Sequence, residues 1–193
     1  GLARTLRMGA RSPAPAQELD VTPDHAFSFV GGAGDPVVVI ADLAASLPQP
    51  PLIYIAPPAG QIAPPLKPQG LALFSAHLAL VSHVANNNGG NGSIDIIDTV
   101  QAQRIDRFSI AGYETDGLGT LAANPAKTHL LVFSGFSGNK LFVVPAPFSA
   151  TSTATAVTMP SNGGSAQTRA IAFDNATGRA YVGHDSGISA LDP

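Results

Sequence analysis

A unit of about 50 residues recurs along this chain, and no other feature limits the available folds so strongly. Gln17–His25 aligns without a gap to Gln69–His77 at an offset of 52, and both segments run on into an apolar stretch. Leu121–Val132 aligns to Ile171–Val182 at an offset of 50, and Leu71 to Leu121 is another 50. Units therefore start near 17, 69, 119 and 169. A unit this short cannot bury its own apolar residues, so it must stack on its neighbours and share a core with them.

The punctuation inside each unit is that of four short strands. In the second unit a first strand spans 69 to 75 and a second 78 to 85; the turn Asn86-Asn-Asn-Gly-Gly-Asn-Gly92 then leads to a third, Ser93-Ile-Asp-Ile-Ile-Asp98. A fourth follows at 103 to 110, with counterparts at Pro51–Ala56 and Thr153–Met159. The last unit lacks a fourth strand, whereas a strand-like segment, Ala3–Met8, precedes the first unit. Glycine and proline (20 and 17 of 193 residues) interrupt nearly every window long enough for three helical turns, so helix is not expected. Ile40–Leu47 reads as a strand end and loop. Leu19, Val21, Leu71, Leu73, Leu121, Ile171 and Phe173 on first strands, with Val30, Leu80, Val132 and Val182 on second strands, form the expected core.

Four-stranded units at this spacing are the sequence form of propeller blades. Ser93-Ile-Asp-Ile-Ile-Asp-Thr99, the Asn/Gly turn before it and Ala180-Tyr-Val-Gly-His184 resemble the YVTN or lactonase-like bacterial propeller repeat. The resemblance covers 17 to 193, although the third unit has Val144-Pro145 where Ile-Asp would stand. The expected fold is all-β: a β-propeller of about four blades of four antiparallel strands in a single domain, 1–193, with 1–16 as an outer strand plus loop. Two closures stay open. In one, Ala3–Met8 pairs with Gly187–Asp192 and completes the last blade of a four-bladed ring; in the other, the chain is a partial piece of a six- to eight-bladed propeller, the size the resemblance implies.

Only 23 residues are charged (10 basic, 13 acidic, net −3), which argues against a nucleic-acid partner. No apolar stretch approaches the ~20 residues of a spanning helix, so the chain is not expected to be membrane-embedded. With no cysteine there is neither a disulfide framework nor a thiolate metal site. Residues 1 to 16 have no apolar signal core and no initiator methionine, and read as a processed end. Low charge and a Ser/Thr/Ala/Pro-rich surface fit an extracellular or periplasmic protein.

Several short motifs resemble catalytic ones. Gly117-Leu-Gly-Thr-Leu-Ala122 has dinucleotide-fingerprint spacing, but polar Glu114-Thr-Asp116 precedes it and Pro125 follows, so it reads as an inter-blade turn. His184-Asp-Ser-Gly187 carries a serine-protease-like string in which Ile188 replaces the second glycine; it reads as a strand-connecting turn. Of the five histidines, His25 and His77 share one repeat position at a hairpin turn. His83 and His184 lie near the ends of second strands, beside loops expected to share the ligand-binding face with the inter-blade connections. Asp35, Asn86, Asp116 and Asp185 fall on those loops and connections and complete the candidate site. Their oxygen atoms would suit calcium, although Asn and Asp are also ordinary turn residues. Asn91-Gly-Ser93 and Asn175-Ala-Thr177 are formal glycosylation acceptors without meaning in a bacterial protein.

No constellation meets the geometric requirements of a catalyst. The expected function is a non-catalytic, exported binding or surface-structural module that takes a protein or small-molecule ligand on the loop face and can self-associate through strand edges. The resemblance alone implies a second reading, a lactonase-like hydrolase with a cation in its central channel. A third is a propeller subunit of a periplasmic redox enzyme.

Overall fold

A computed structural model describes residues 16–21, 25–30, 37–42, 52–54, 67–84, 93–111, 120–134, 140–160, 170–184 and 186–192, with side chains described from residue 70 onward except at 83, 84 and 134. These residues form fifteen strands and no helix. The first sheet contains β1 (Ala16–Val21), β2 (His25–Val30), β3 (Val37–Asp42) and β4 (Leu52–Tyr54), and the second β5 (Lys67–Ser75), β6 (Leu78–Val84), β7 (Ser93–Asp98) and β8 (Gln103–Ser109). The third contains β9 (Thr120–Ala123), β10 (His129–Ser134), β11 (Lys140–Pro145) and β12 (Thr155–Thr158); the fourth has β13 (Ala170–Phe173), β14 (Ala180–His184) and β15 (Gly187–Leu191). Every sheet is an antiparallel meander in chain order. Each unit of the repeat is thus one sheet, and the fourth strand missing from the last unit is missing from its sheet among the described residues. Far-ultraviolet circular dichroism is accordingly expected to show less than about a fifth helix, against a globular mean near a third.

The first strands stand side by side, β1 beside β5, β5 beside β9 and β9 beside β13, so the sheets fan outward from a common inner line as blades. β13 makes no comparable contact with β1. The four blades form an open arc, so of the two closures the four-bladed ring is not what the described strands build. The expected pairing of Ala3–Met8 with the last sheet lies outside the described residues.

Stacked blades bury both faces of a sheet, and this organises the core. Ala72, Phe74, Leu80, Ile94, Ile96 and Phe108 of the second blade pack against Leu121, Leu130, Val132, Phe142 and Val144 of the third. The opposite face of the third blade, with Leu131, Phe133, Leu141 and Met159, meets Ala180 and Val182 of the fourth, supported by half-buried Ile171 and Phe173. Leu71, Leu73, Ala79, Val81 and Ile97 form a separate cluster on the other face of the second blade. Expected core residues Leu71, Leu73, Leu80, Leu121, Val132 and Val182 are all buried. Leu19, Val21 and Val30 occupy β1 and β2 as expected, and their side chains lie outside the described residues.

Among the described residues, burial on both faces admits one fully buried charged side chain. Asp95 is fully buried, and Arg107, directly opposite it on β8, holds it bidentately, with Nη2 donating to Oδ2 at 2.9 Å and Nε donating to Oδ1. Arg104 brings a second guanidinium to 3.9 Å. The planar fork matches a carboxylate and satisfies both of its oxygens, the condition under which a buried charge is tolerated.

Candidate functional site

In each antiparallel meander the second strand ends and the third begins at one end of the arc, where the first strand also begins, and the first-to-second and third-to-fourth strand reversals lie at the other. Of the six residues of the sequence-derived site, the described strands place His83 and His184, both at the first end. His83 is the penultimate residue of β6 and His184 the last of β14, two blades apart with the third blade between them. Asp35, Asn86, Asp116 and Asp185, and the side chain of His83, lie outside the described residues. Among the described residues no three His, Asp or Glu side chains gather in a way that could hold a metal ion.

His184 is half-buried and its ring is held at both nitrogens. The backbone N–H of Ser186 donates to Nδ1 at 3.3 Å, and Nε2 lies 2.9 Å from Ser189 Oγ. Nδ1 accepts, so in the neutral ring the proton sits on Nε2 and is donated to the serine. A serine nucleophile needs the reverse, an Nε2 that accepts the hydroxyl proton while a carboxylate orients Nδ1–H. The pair therefore acts as a brace across the β14–β15 hairpin, in agreement with the turn reading of His184-Asp-Ser-Gly187. Ser189 escaped the sequence reading because its proximity to His184 depends on hairpin register, in which His184 faces Gly187 and Gly183 faces Ile188.

At the opposite end several of the described polar groups serve turns and ties between blades. Asp98 Oδ1 accepts from the N–H groups of Val100 and Gln101, and Thr99 Oγ1 donates to the carbonyl of Ala76 at 2.7 Å. Lys127, at φ 56°, reaches across a blade interface to donate to the Leu73 carbonyl at 2.8 Å. The N–H of Ala150 donates to Asp106 Oδ2, the second such tie. Exposed His77 lies in the β5–β6 turn, as its repeat position suggests. Sequence reasoning passed over these residues because polar turn residues look alike whether or not they bind a ligand.

Asn124 and Asp174, one repeat apart, each brace the turn between the first and second strands of their blade, through different partners. Asn124 is buried, and its Oδ1 accepts from the backbone N–H groups of Thr128 and His129 at 2.8 and 2.9 Å. Asp174 accepts from Ala176 N–H and Thr177 Oγ1. Asn124→Ala is expected to cost ~1 to 3 kcal/mol by stranding two donors. Asn124→Asp keeps the accepting Oδ1 but gives up the Nδ2 donation to Thr128 Oγ1, and should lose less than Asn124→Ala. Urea midpoints of the two variants check this, and equal losses would remove Oδ1 from the account.

The Thr177 hydroxyl and then the Ala176 N–H hold the Asp174 carboxyl below its ordinary range, and Arg179 does the same to Asp192 by hydrogen bond and charge across 2.8 Å. Depressed folded values mean that both contributions are present above the ordinary carboxylate range and are lost as pH falls through the folded values. Both groups are exposed, so Asp192→Asn should slightly flatten the acid limb of a melting profile and leave neutral pH almost unchanged. An equal drop at neutral and acid pH would contradict this.

No family model matches the chain, and no curated protein matches it. Solved structures do. A structure titled "Crystal Structure of Mitotic Checkpoint Complex" aligns over 88% of this chain and 47% of its own, at TM-score 0.58 and 12% identity. "Structure of Dos1 propeller" aligns over 87% and 40%, at 0.58 and 10%. "Complex of KlAtg21 with coiled-coil of AgAtg16" aligns over 89% and 50%, at 0.58 and 9%. The chain spans about half the length of each of these chains. At such identities the likeness shows fold alone, and together with the fanned four-stranded sheets it establishes that this chain has the β-propeller fold.

Proposed function

We propose that the chain is a non-catalytic binding or scaffold module of an exported protein of YVTN-like type, presenting the second-to-third-strand loops and the inter-blade connections to a protein partner. The observation that carries the reading is the fan of stacked four-stranded blades, the fold shared with solved propellers. Among the described residues, Lys127 and Asp106 tie neighbouring blades at one end, and at the other His184 is engaged at both ring nitrogens, by Ser186 N–H and Ser189 Oγ, with no carboxylate at Nδ1 to orient it as a base. Two of the solved propellers support it, because their titles place them in protein complexes, one of them with a coiled coil.

The test replaces the Asn86–Gly92 turn by a short Gly/Ser turn and, as a control, Val100 to Ala102 at the opposite end by Gly/Ser residues. Proximity labelling from the exported protein should lose its partner with the first replacement and keep it with the second. Calcium at millimolar concentration should leave the melting temperature unchanged, and a panel of short-chain lactones should not be hydrolysed. Lactone turnover abolished by His184→Ala, or a calcium-dependent rise in melting temperature of several degrees, would instead establish the hydrolase reading.

A further inference from the structure

The outer strands of the second and third blades hold the same place in the repeat and meet solvent in opposite ways. β8 carries Arg104, Asp106 and Arg107, and its ladder with β7 is broken by a bulge at Ile105. Charges and bulges are how a sheet edge is kept from pairing with a stray strand. β12 has neither. Its four residues, Thr155-Ala-Val-Thr158, run in unbroken register along β11, and Thr155, Ala156 and Thr158 are exposed. Threonine and valine suit a pleated strand, so an uncharged edge of this composition invites another strand to add to it.

The chain leading into β12 is built from the same residue types. From Ser149 to Thr158 there is no charged side chain and six of the ten residues carry a hydroxyl, with Pro145, Pro147 and Pro160 on either side. Three of those hydroxyls close a turn: Ser152 Oγ accepts from the Ser149 N–H at 2.8 Å, and Ser149 Oγ lies 3.0 Å from Thr151 Oγ1. The other three belong to Thr153, Thr155 and Thr158, which are exposed and whose hydroxyls have no hydrogen-bond partner among the described residues. We propose that these threonines are O-glycosylated and that the sugars shield the β12 edge. A transferase must bring a hydroxyl up to the anomeric carbon of its donor, so the side chain has to be accessible and free of internal hydrogen bonds. Ala154 and Ala156, between the threonines, leave room for that approach. The transfer forms a bond from threonine Oγ1 to the anomeric carbon of a sugar–phosphate donor and breaks the bond from that carbon to the phosphate oxygen. The phosphate departs with the electron pair, and the hydroxyl proton is released to a base. Bulky, solubilising sugars then give β12 the protection that charge and a bulge give β8. An added strand could cover the same edge, but it would engage the backbone and leave the free hydroxyls unused. The proposal is independent of the partner-binding reading above.

Mass spectrometry of the protein isolated from the cells that naturally make it tests this. Trypsin releases the whole segment as one peptide, Leu141–Arg169, by cutting after Lys140 and Arg169. That peptide is expected to be heavier than its sequence by whole hexose or N-acetylhexosamine units, and electron-transfer fragmentation should place them on Thr153, Thr155 or Thr158. A bare peptide, or sugar confined to other residues, would overturn the proposal. A photo-crosslinking residue in place of Ala156 that captures a second protein, with the peptide bare, would show that an added strand covers the edge and would overturn it likewise. The shielding role has its own readout. The chain made in a host without O-glycosyltransferases should associate at lower concentration in light scattering than the natural material, and Ala156→Lys should reverse that by charging the edge. Equal association of the bare and the glycosylated protein would overturn that role.

Discussion

Asp95→Ala is expected to lower the unfolding free energy by about 3 to 5 kcal/mol, since removing one partner of a buried pair leaves the other charge stranded. Against a total of roughly 5 to 15 kcal/mol for an ordinary domain, that is enough to leave a large fraction of the chain unfolded at 37 °C. The carboxylate is fully buried, and the Arg107 side chain above it is only 13% exposed, so neither group can be resolvated without opening the second blade. Arg107→Ala should cost a similar amount, because it abandons the same carboxylate to Arg104 alone. Replacing both by leucine should recover much of the loss, since neither member of the pair is then left without the other. Urea midpoints of the three variants measure this. A loss below 1 kcal/mol for Asp95→Ala would show that the side chain is solvated and that the second blade is not buried on both faces.

Phe133→Ala should have a comparable effect by a different mechanism. The ring is fully buried between the third and fourth blades with Leu131, Leu141 and Val182, and its removal leaves a cavity worth ~3 to 5 kcal/mol. The loss should appear as early exchange of amides in β13, β14 and β15 while β6 and β7 stay protected, because the fourth blade touches the rest of the arc through this interface. The melting temperature should fall by on the order of 10 °C for a chain of this size. Uniform deprotection of all blades would instead mean that the arc unfolds as one cooperative unit.

Much of this architecture is legible in the sequence, for a reason that residues 121 to 132 and 171 to 182 make plain. A blade must offer apolar side chains to two neighbours at matching positions, so the constraint repeats at the period of the blade and survives as an alignable pattern. Consecutive Leu130, Leu131, Val132 and Phe133 are all buried, and the expected core captured only Val132, because an alternation rule assumes one solvated face. Asp95 was missed for the same cause: in Ser93-Ile-Asp-Ile it reads as the outward residue of an amphipathic strand, and only the register that sets it opposite Arg107 shows otherwise. Closure was not legible because it depends on the small rotation between successive blades, which no residue encodes alone. Of the candidate site, the end of the arc was legible from topology. The His184 to Ser189 brace was not, since it depends on how a two-residue turn sets the hairpin register.

Methyl-to-methyl nuclear Overhauser contacts test the central claim, that each repeat unit is a blade stacked on the next through alternate faces. The account predicts cross-peaks linking Ile94 and Ile96 to Leu130 and Val132, and others linking Leu131 to Val182, with none between Leu131 and Ile94. Cross-peaks from Leu131 to Ile94, or none between residues one repeat apart, would contradict it.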